Sequence, residues 1–232
     1  MKTTLLTLVL CAAAASAPAA GSSPAKGFTD SFDIDKADLS STGRNRYFVL
    51  EPGFQLVLEG KEGGQATVLT ITVLNETKIV DGVETRVVEE KETANGQMAE
   101  ISRNYFAISK KTSDVFYFGE DVDVYKNGKV VDHEGAWLSG VNGARFGLMI
   151  PGTPRLGVRY QQEVAPKVAM DRAEVVSLSE TLQTPAGKFE KCLKTKESSA
   201  LERGTAYKLY APSVGSISDG NLKLTKYGRV GP

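Results

Sequence analysis

Residues 115–141 read VFYFGEDVDVYKNGKVVDHEGAWLSGV, and they decide the fold. At their centre Asn127-Gly128 sits between two runs that alternate apolar and polar side chains. A two-residue turn of this kind needs a positive φ at both positions, which Asn and Gly tolerate, so it joins two antiparallel strands. Counting outward gives a register. Lys126 faces Lys129, Tyr125 faces Val130, Val124 faces Val131, Asp123 faces Asp132, Val122 faces His133 and Asp121 faces Glu134. One face of the hairpin then carries Val122, Val124, Val131 and His133. The other carries Asp121, Asp123, Asp132 and Glu134.

The same signal recurs outward from this hairpin. Asp81-Gly82 and Asn95-Gly96 are two further hairpin turns. Residues 66–75 (ATVLTITVLN) alternate and are rich in Val, Ile and Thr, as half-buried strands are. Strands are also expected over 54–59, 85–93, 97–109, 158–164, 170–184, 188–196, 205–211 and 221–227. Over 97–109 neither face is uniformly apolar, so that strand is expected to be wetted on one side or bulged. Residues 142–157 (NGARFGLMIPGTPRLG) hold four Gly and two Pro, and read as an irregular loop that carries apolar residues over an edge or pocket. Residues 212–218 read as a turn region. No segment sustains a helical apolar period, and no strand is followed by a helical crossover. The fold class is therefore all-β: a single antiparallel meander domain, either barrel-like, half-barrel or a sandwich.

Residues 1–20 read as a secretory signal. Lys2 gives a positive start, residues 5–15 an apolar run too short to span a bilayer, and Ala15-Ser16-Ala17 and Ala17-Pro18-Ala19 both fit the cleavage pattern. Leu10 stands where a lipobox before Cys11 needs a small residue. Residues 21–43 read as a flexible arm, with 28–39 able to lie on the body through Phe28, Phe32 and Ile34. Residues 44–228 form the domain, and 229–232 a tail. Beyond the signal Cys192 is the lone thiol, which fits bacterial export to the periplasm or medium better than a disulfide-stapled ectodomain.

Composition narrows the chemistry. Lys+Arg and Asp+Glu number 28 each, so no global field favours nucleic acid. One His and the absence of a Cys pair exclude classical zinc sites, and no nucleophile elbow or phosphate loop is present. No catalytic residue stands out. A carboxylate-only hydrolase would draw on Glu120, Asp121, Glu134 and Glu163. The four carboxylates on one hairpin face repel across the strand pair. A bound cation would offset this, and calcium suits such oxygen ligands. Basic side chains from a neighbouring strand, or solvent and salt, would offset it as well. Residues 121–132 match the length of a helix-loop-helix calcium loop but carry Lys126 and Tyr125 where Gly and an oxygen ligand are needed. Trp137, Phe146, Met149 and Ile150 are the candidates for lining the mouth of an interior that takes an apolar small molecule. No cofactor other than calcium is indicated, and the remaining partner class is an envelope component.

The strings YFGEDVDVYKNGKVVDHEGAW, NGARFGLMIPGTP, VRYQQE, AEVVSL, TPAGKFEKCLKTKE and YKLYAPSVGSI together resemble a family of exported, β-rich bacterial proteins that are mostly hypothetical. The resemblance covers about 47–227. It implies a bacterial, exported, single-domain β protein, and it assigns no activity and no functional residue.

Overall fold

The computed structural model describes residues 27–231. The expected signal, the first part of the arm and Pro232 lie outside them. The strands are β1 (Leu39–Ser40), β2 (Gly43–Asn45), β3 (Phe48–Leu50), β4 (Phe54–Glu62), β5 (Gln65–Val80), β6 (Val83–Ala94), β7 (Gln97–Ser109), β8 (Val115–Lys126) and β9 (Lys129–Asp132). They continue with β10 (Trp137–Leu138), β11 (Arg145–Ile150), β12 (Arg159–Gln161), β13 (Glu163–Val164), β14 (Asp171–Thr184), β15 (Gly187–Ser199), β16 (Ala206–Ala211), β17 (Gly215–Asp219) and β18 (Leu222–Arg229). The three Asp/Asn-Gly turns form as expected, with φ near +50° at Asp81, Asn95 and Asn127 and near +75° at the glycine after each.

The main sheet runs β12-β14-β15-β16-β17-β18-β4-β5-β6-β7-β8-β11-β13, with every named pair antiparallel. Its two ends are one stretch of chain. β12 pairs with β14, then Gln162 intervenes, then β13 pairs with β11. The Gln162 amide donates to the Asp171 carbonyl at 2.7 Å across the seam. The meander thus curls into a nearly closed barrel, which removes the exposed edges an open sheet would present.

One face of the long strands points into this barrel, and that face changes character along its length. On β6 it reads Val88, Glu90, Glu92, and on β7 Phe106, Asn104, Ser102, Glu100. On β15 it reads Leu193, Thr195, Glu197, and on β16 Tyr210, Lys208. Strand pairing puts like with like: Leu56, Leu58, Val73, Val88, Phe106, Leu193, Tyr210 and Leu224 belong to one buried core. The hairpin β2-β3 plugs that apolar end, where Phe48 meets Phe106 edge-on at 5.2 Å. Only about 70 Å³ remains open among Phe48, Leu56, Val88 and Tyr210. The apolar end is filled, and the acidic end is hollow.

Several expectations change. Residues 145–150 are strand β11, not loop, and 215–219 are strand β17, not turn. Both pair with a strand on each side and satisfy its backbone groups, so tertiary pairing overrides the local Gly and Pro content. The arm is docked over its described part. Thr29 bridges Tyr160, Phe32 meets Phe116 edge-on at 5.9 Å, Ile34 packs on the core, and β1 pairs with β7. The tail expected from 229 is held too: Arg229 ends β18, and the Val230 amide donates to the Gly53 carbonyl at 2.8 Å.

The hairpin of residues 115–132 has another register. Lys126–Lys129 and Tyr125–Val130 pair as expected, but Val124 then faces Asp132, because Val131 is an extra, bulged residue. The bulge dissolves the expected Asp123–Asp132 and Asp121–Glu134 pairs, and so removes the like-charge repulsion that such pairing would carry.

Candidate functional site

A cavity of about 360 Å³ occupies the acidic end of the barrel. Its wall carries Glu90 and Glu92 from β6, Glu100 from β7, Glu120 from β8, Glu163 from β13, Asp171 from β14, Glu197 from β15 and Asp219 from β17, with Glu134 from the loop after β9. Lys208 is the one basic residue among them. Leu69, Phe106, Tyr117, Val122 and Met149 make the apolar part of the lining. A recess of about 230 Å³ shares Glu92, Asp171, Glu197, Lys208 and Asp219 and continues to the exposed loop residues Glu202 and Arg203.

The carboxylates fall into two states. Glu197 and Asp219 are neutralised from within: Lys208 Nζ lies 3.5 Å from Glu197 and 3.1 Å from Asp219. Thr195 and Tyr210 also donate to Glu197 at 2.9 and 3.3 Å. Burial alone would lower the Lys208 pKa, but Asp219 and Glu197 outweigh it and hold it well above the usual range. The others lack such a partner. Burial pushes Glu90 up to about 7; Lys208 opposes the rise, and Asp219 and Glu100 add to it. Burial likewise pushes Glu92 to about 7, with Glu62 and Glu100 adding repulsion. Glu92 faces Glu100 directly across the strand pair. Burial pushes Glu120 to about 8, partly offset by Tyr117, while Glu163 is driven well up by burial and then by Glu120 and Asp171. The Tyr117 hydroxyl donates to Asn104 Oδ1 at 2.5 Å. Among the described residues, the Glu90 and Glu163 carboxyls accept no hydrogen bond and make no ion pair, and both are half-buried and line the cavity.

The sequence candidates scatter across this geometry. Of the four expected at an apolar mouth, only Met149 lines the cavity, with its Sδ 3.6 Å from Gln162 Nε2. Ile150 is fully buried, and Phe146 stacks on Phe118 at 4.9 Å. Trp137 sets its edge against Tyr117 at 5.4 Å and faces a separate depression with Leu138, Ala144 and Pro166. The four candidate metal ligands do not converge. Asp121 lies 2.9 Å from Lys78 Nζ and accepts from the Tyr105 hydroxyl at 2.5 Å. Burial would raise its carboxyl, but these two hydrogen bonds outweigh it and keep the pKa low. Asp123 lies 3.3 Å from Arg103 and 3.1 Å from His133. Asp132 accepts from the His133 amide at 2.8 Å, and Glu134 stands at the cavity. Basic side chains therefore offset the outer face, and no carboxylate quartet exists there to hold calcium. His133, expected beside the valines, is exposed, its Nδ1 donating to the Val122 carbonyl at 2.7 Å. No group of three or more His, Cys, Asp or Glu residues arranged to hold a metal occurs among the described residues.

Glu120 and Glu163, two of the hydrolase candidates, do meet in the cavity. A two-carboxylate hydrolase needs one protonated acid beside one ionised base or nucleophile. Here burial raises both, and Glu120 adds its repulsion to the rise at Glu163.

Glu90, Glu92, Glu100 and Glu197 were missed because a Glu in an alternating strand normally reads as solvent-facing. The available signal was phase: Glu90 and Glu92 share a face with Val88, and Glu100 shares one with Phe106.

No family model and no curated protein matches the chain. A crystal structure described as a "putative lipoprotein" from Parabacteroides distasonis aligns with 81% of this chain and 100% of its own, at 14% identity and a TM-score of 0.40. A likeness of that strength carries no functional argument.

Proposed function

We propose that this chain is an exported β-barrel binding protein, rather than an enzyme, whose acidic cavity takes a small organic cation. The observation that carries the reading is the pair of unpartnered carboxyls, Glu90 and Glu163, facing a hollow interior. Both are half-buried, and ionising a carboxyl that is partly removed from water and has no partner is unfavourable. A ligand that brings positive charge offsets that cost on binding. The filled apolar end argues against an apolar ligand, since about 70 Å³ admits little more than water. The secretory pattern of residues 1–20 supports a site outside the cytoplasm.

Thermal unfolding tests this. At pH 8 and low salt, millimolar butylamine is expected to raise the melting temperature by several degrees, whereas butanol leaves it unchanged. At pH 5 the amine effect should shrink sharply, because Glu90, Glu92, Glu120 and Glu163 are then protonated. Equal shifts from amine and alcohol would refute cation binding.

A further inference from the structure

Lys208 shows what the cavity requires. Its ammonium is drawn into the barrel and neutralises Glu197 and Asp219 on one wall. Two other groups of carboxyls have no ammonium in contact; Lys208 acts on Glu90 and Glu163 only from a distance, and Glu90 and Glu100 repel Glu120 across the cavity. Glu90, Glu92 and Glu100 lie on β6 and β7, with Glu92 opposite Glu100 and Glu90 opposite Ser102. Glu120 and Glu163 lie on β8 and β13 and repel each other. Asn104, hydrogen-bonded to Tyr117, stands on β7 opposite Glu120. Phe106, Tyr117 and Met149 give apolar contact to whatever spans the two groups.

Resting on the cation reading above, we infer that the ligand carries two amino groups joined by a short aliphatic chain, one held by Glu90, Glu92 and Glu100 and the other by Glu120 and Glu163. Each ammonium repeats for its group what Lys208 does for Glu197 and Asp219. The methylenes between lie on the apolar lining, as in binding sites where a few placed polar groups fix an otherwise apolar ligand. A dication also suits the site better than a single charge, because one ammonium would leave the second group repelling itself.

Calorimetric titration of the full chain at pH 8 and low salt compares 1,4-diaminobutane, butylamine and calcium. The diamine is expected to bind at least tenfold tighter than butylamine. Glu90→Gln and Glu163→Gln should each weaken the diamine at least tenfold, while the surface substitution Glu190→Gln leaves it unchanged. Circular dichroism confirms that each variant is folded. Equal affinity for the two amines would overturn the diamine while leaving the cation reading intact, as would a loss confined to one of the two cavity variants. Failure of the folded protein to bind either amine would overturn both readings. Calcium binding tighter than the diamine would also overturn the inference, making the cavity a metal site.

Discussion

Raising the pH from 5 to 8 should lower the melting temperature of the ligand-free protein by about 10 °C, the reverse of the usual trend for a protein rich in paired carboxylates. The cause is the cavity. Glu90 and Glu92 titrate near 7 and Glu120 near 8 in the folded chain, against 4.5 for an ordinary Glu. Between pH 4.5 and 7 the unfolded chain has released these protons and the folded chain still holds them. Stability is therefore fully present below 4.5 and is lost as the pH rises through 7 to 8. Each group contributes up to about 1.4 kcal/mol per pH unit over that interval. Water in the cavity reduces the sum to a few kcal/mol, which corresponds to the stated shift. Asp121 and Asp81 act in the opposite sense. Burial raises them, but hydrogen bonds from Tyr105 and Lys78, and from Lys36 and Ser139, hold both below 3.8. Their contribution is lost only as the pH falls through those low values, so the optimum should lie near pH 5. Differential scanning calorimetry from pH 3 to 9 checks the curve. Glu90→Gln should flatten it, stabilising the protein at pH 8 and changing little at pH 5. A stability maximum at pH 7 to 8 would contradict the assignment.

Gly147→Val should cost about 3 kcal/mol or more and abolish amine binding even if the protein stays folded. Gly147 lies on β11 opposite Tyr117, where the closing stretch between β12 and β13 crosses it. A Cβ there would overlap the Gln162 carbonyl and crowd the Gln161 oxygen, both of which are backbone. The closing stretch would have to move outward, taking Glu163 and the Gln162–Asp171 hydrogen bond with it. Gly143→Ala supplies the contrast. Its φ of +78° disfavours a side chain, but a Cβ there meets open space, so about 1 kcal/mol is expected. Urea unfolding of the two variants separates space from conformation. Equal stabilities would mean that closure at Gln162 does not hold the barrel together.

Much of the barrel wall was legible because its information is local. Asp81-Gly82, Asn95-Gly96 and Asn127-Gly128 fix three hairpins by backbone conformation alone, and alternation names the long strands between them. Closure was not legible, since it depends on β18 meeting β4, from the two ends of the domain, after the whole sheet has curled. β11 and β17 were hidden by Gly and Pro and are strands only because neighbours pair with them. The candidate site was misplaced for a related reason. The densest acidic string, 120–134, looked like the site. One bulge at Val131, with Lys78 on β5 and Arg103 on β7, turns Asp121 and Asp123 into ordinary outer ion pairs. The carboxyls left without partners come from separate strands and converge only inside the ring. In sequence Glu90 and Glu92 show only by keeping phase with Val88, and Glu163 carries no such mark.

Carbon-13 NMR titration of the glutamate carboxyls, with and without 1,4-diaminobutane, bears most directly on the central claim that these carboxyls await a cation. In the free protein Glu90 and Glu92 should titrate near 7 and Glu120 near 8. The diamine should draw all three down towards 4.5 or below, while Glu190 on the surface does not move. Midpoints near 4.5 in the free protein, or midpoints that the amine leaves in place, would contradict the account.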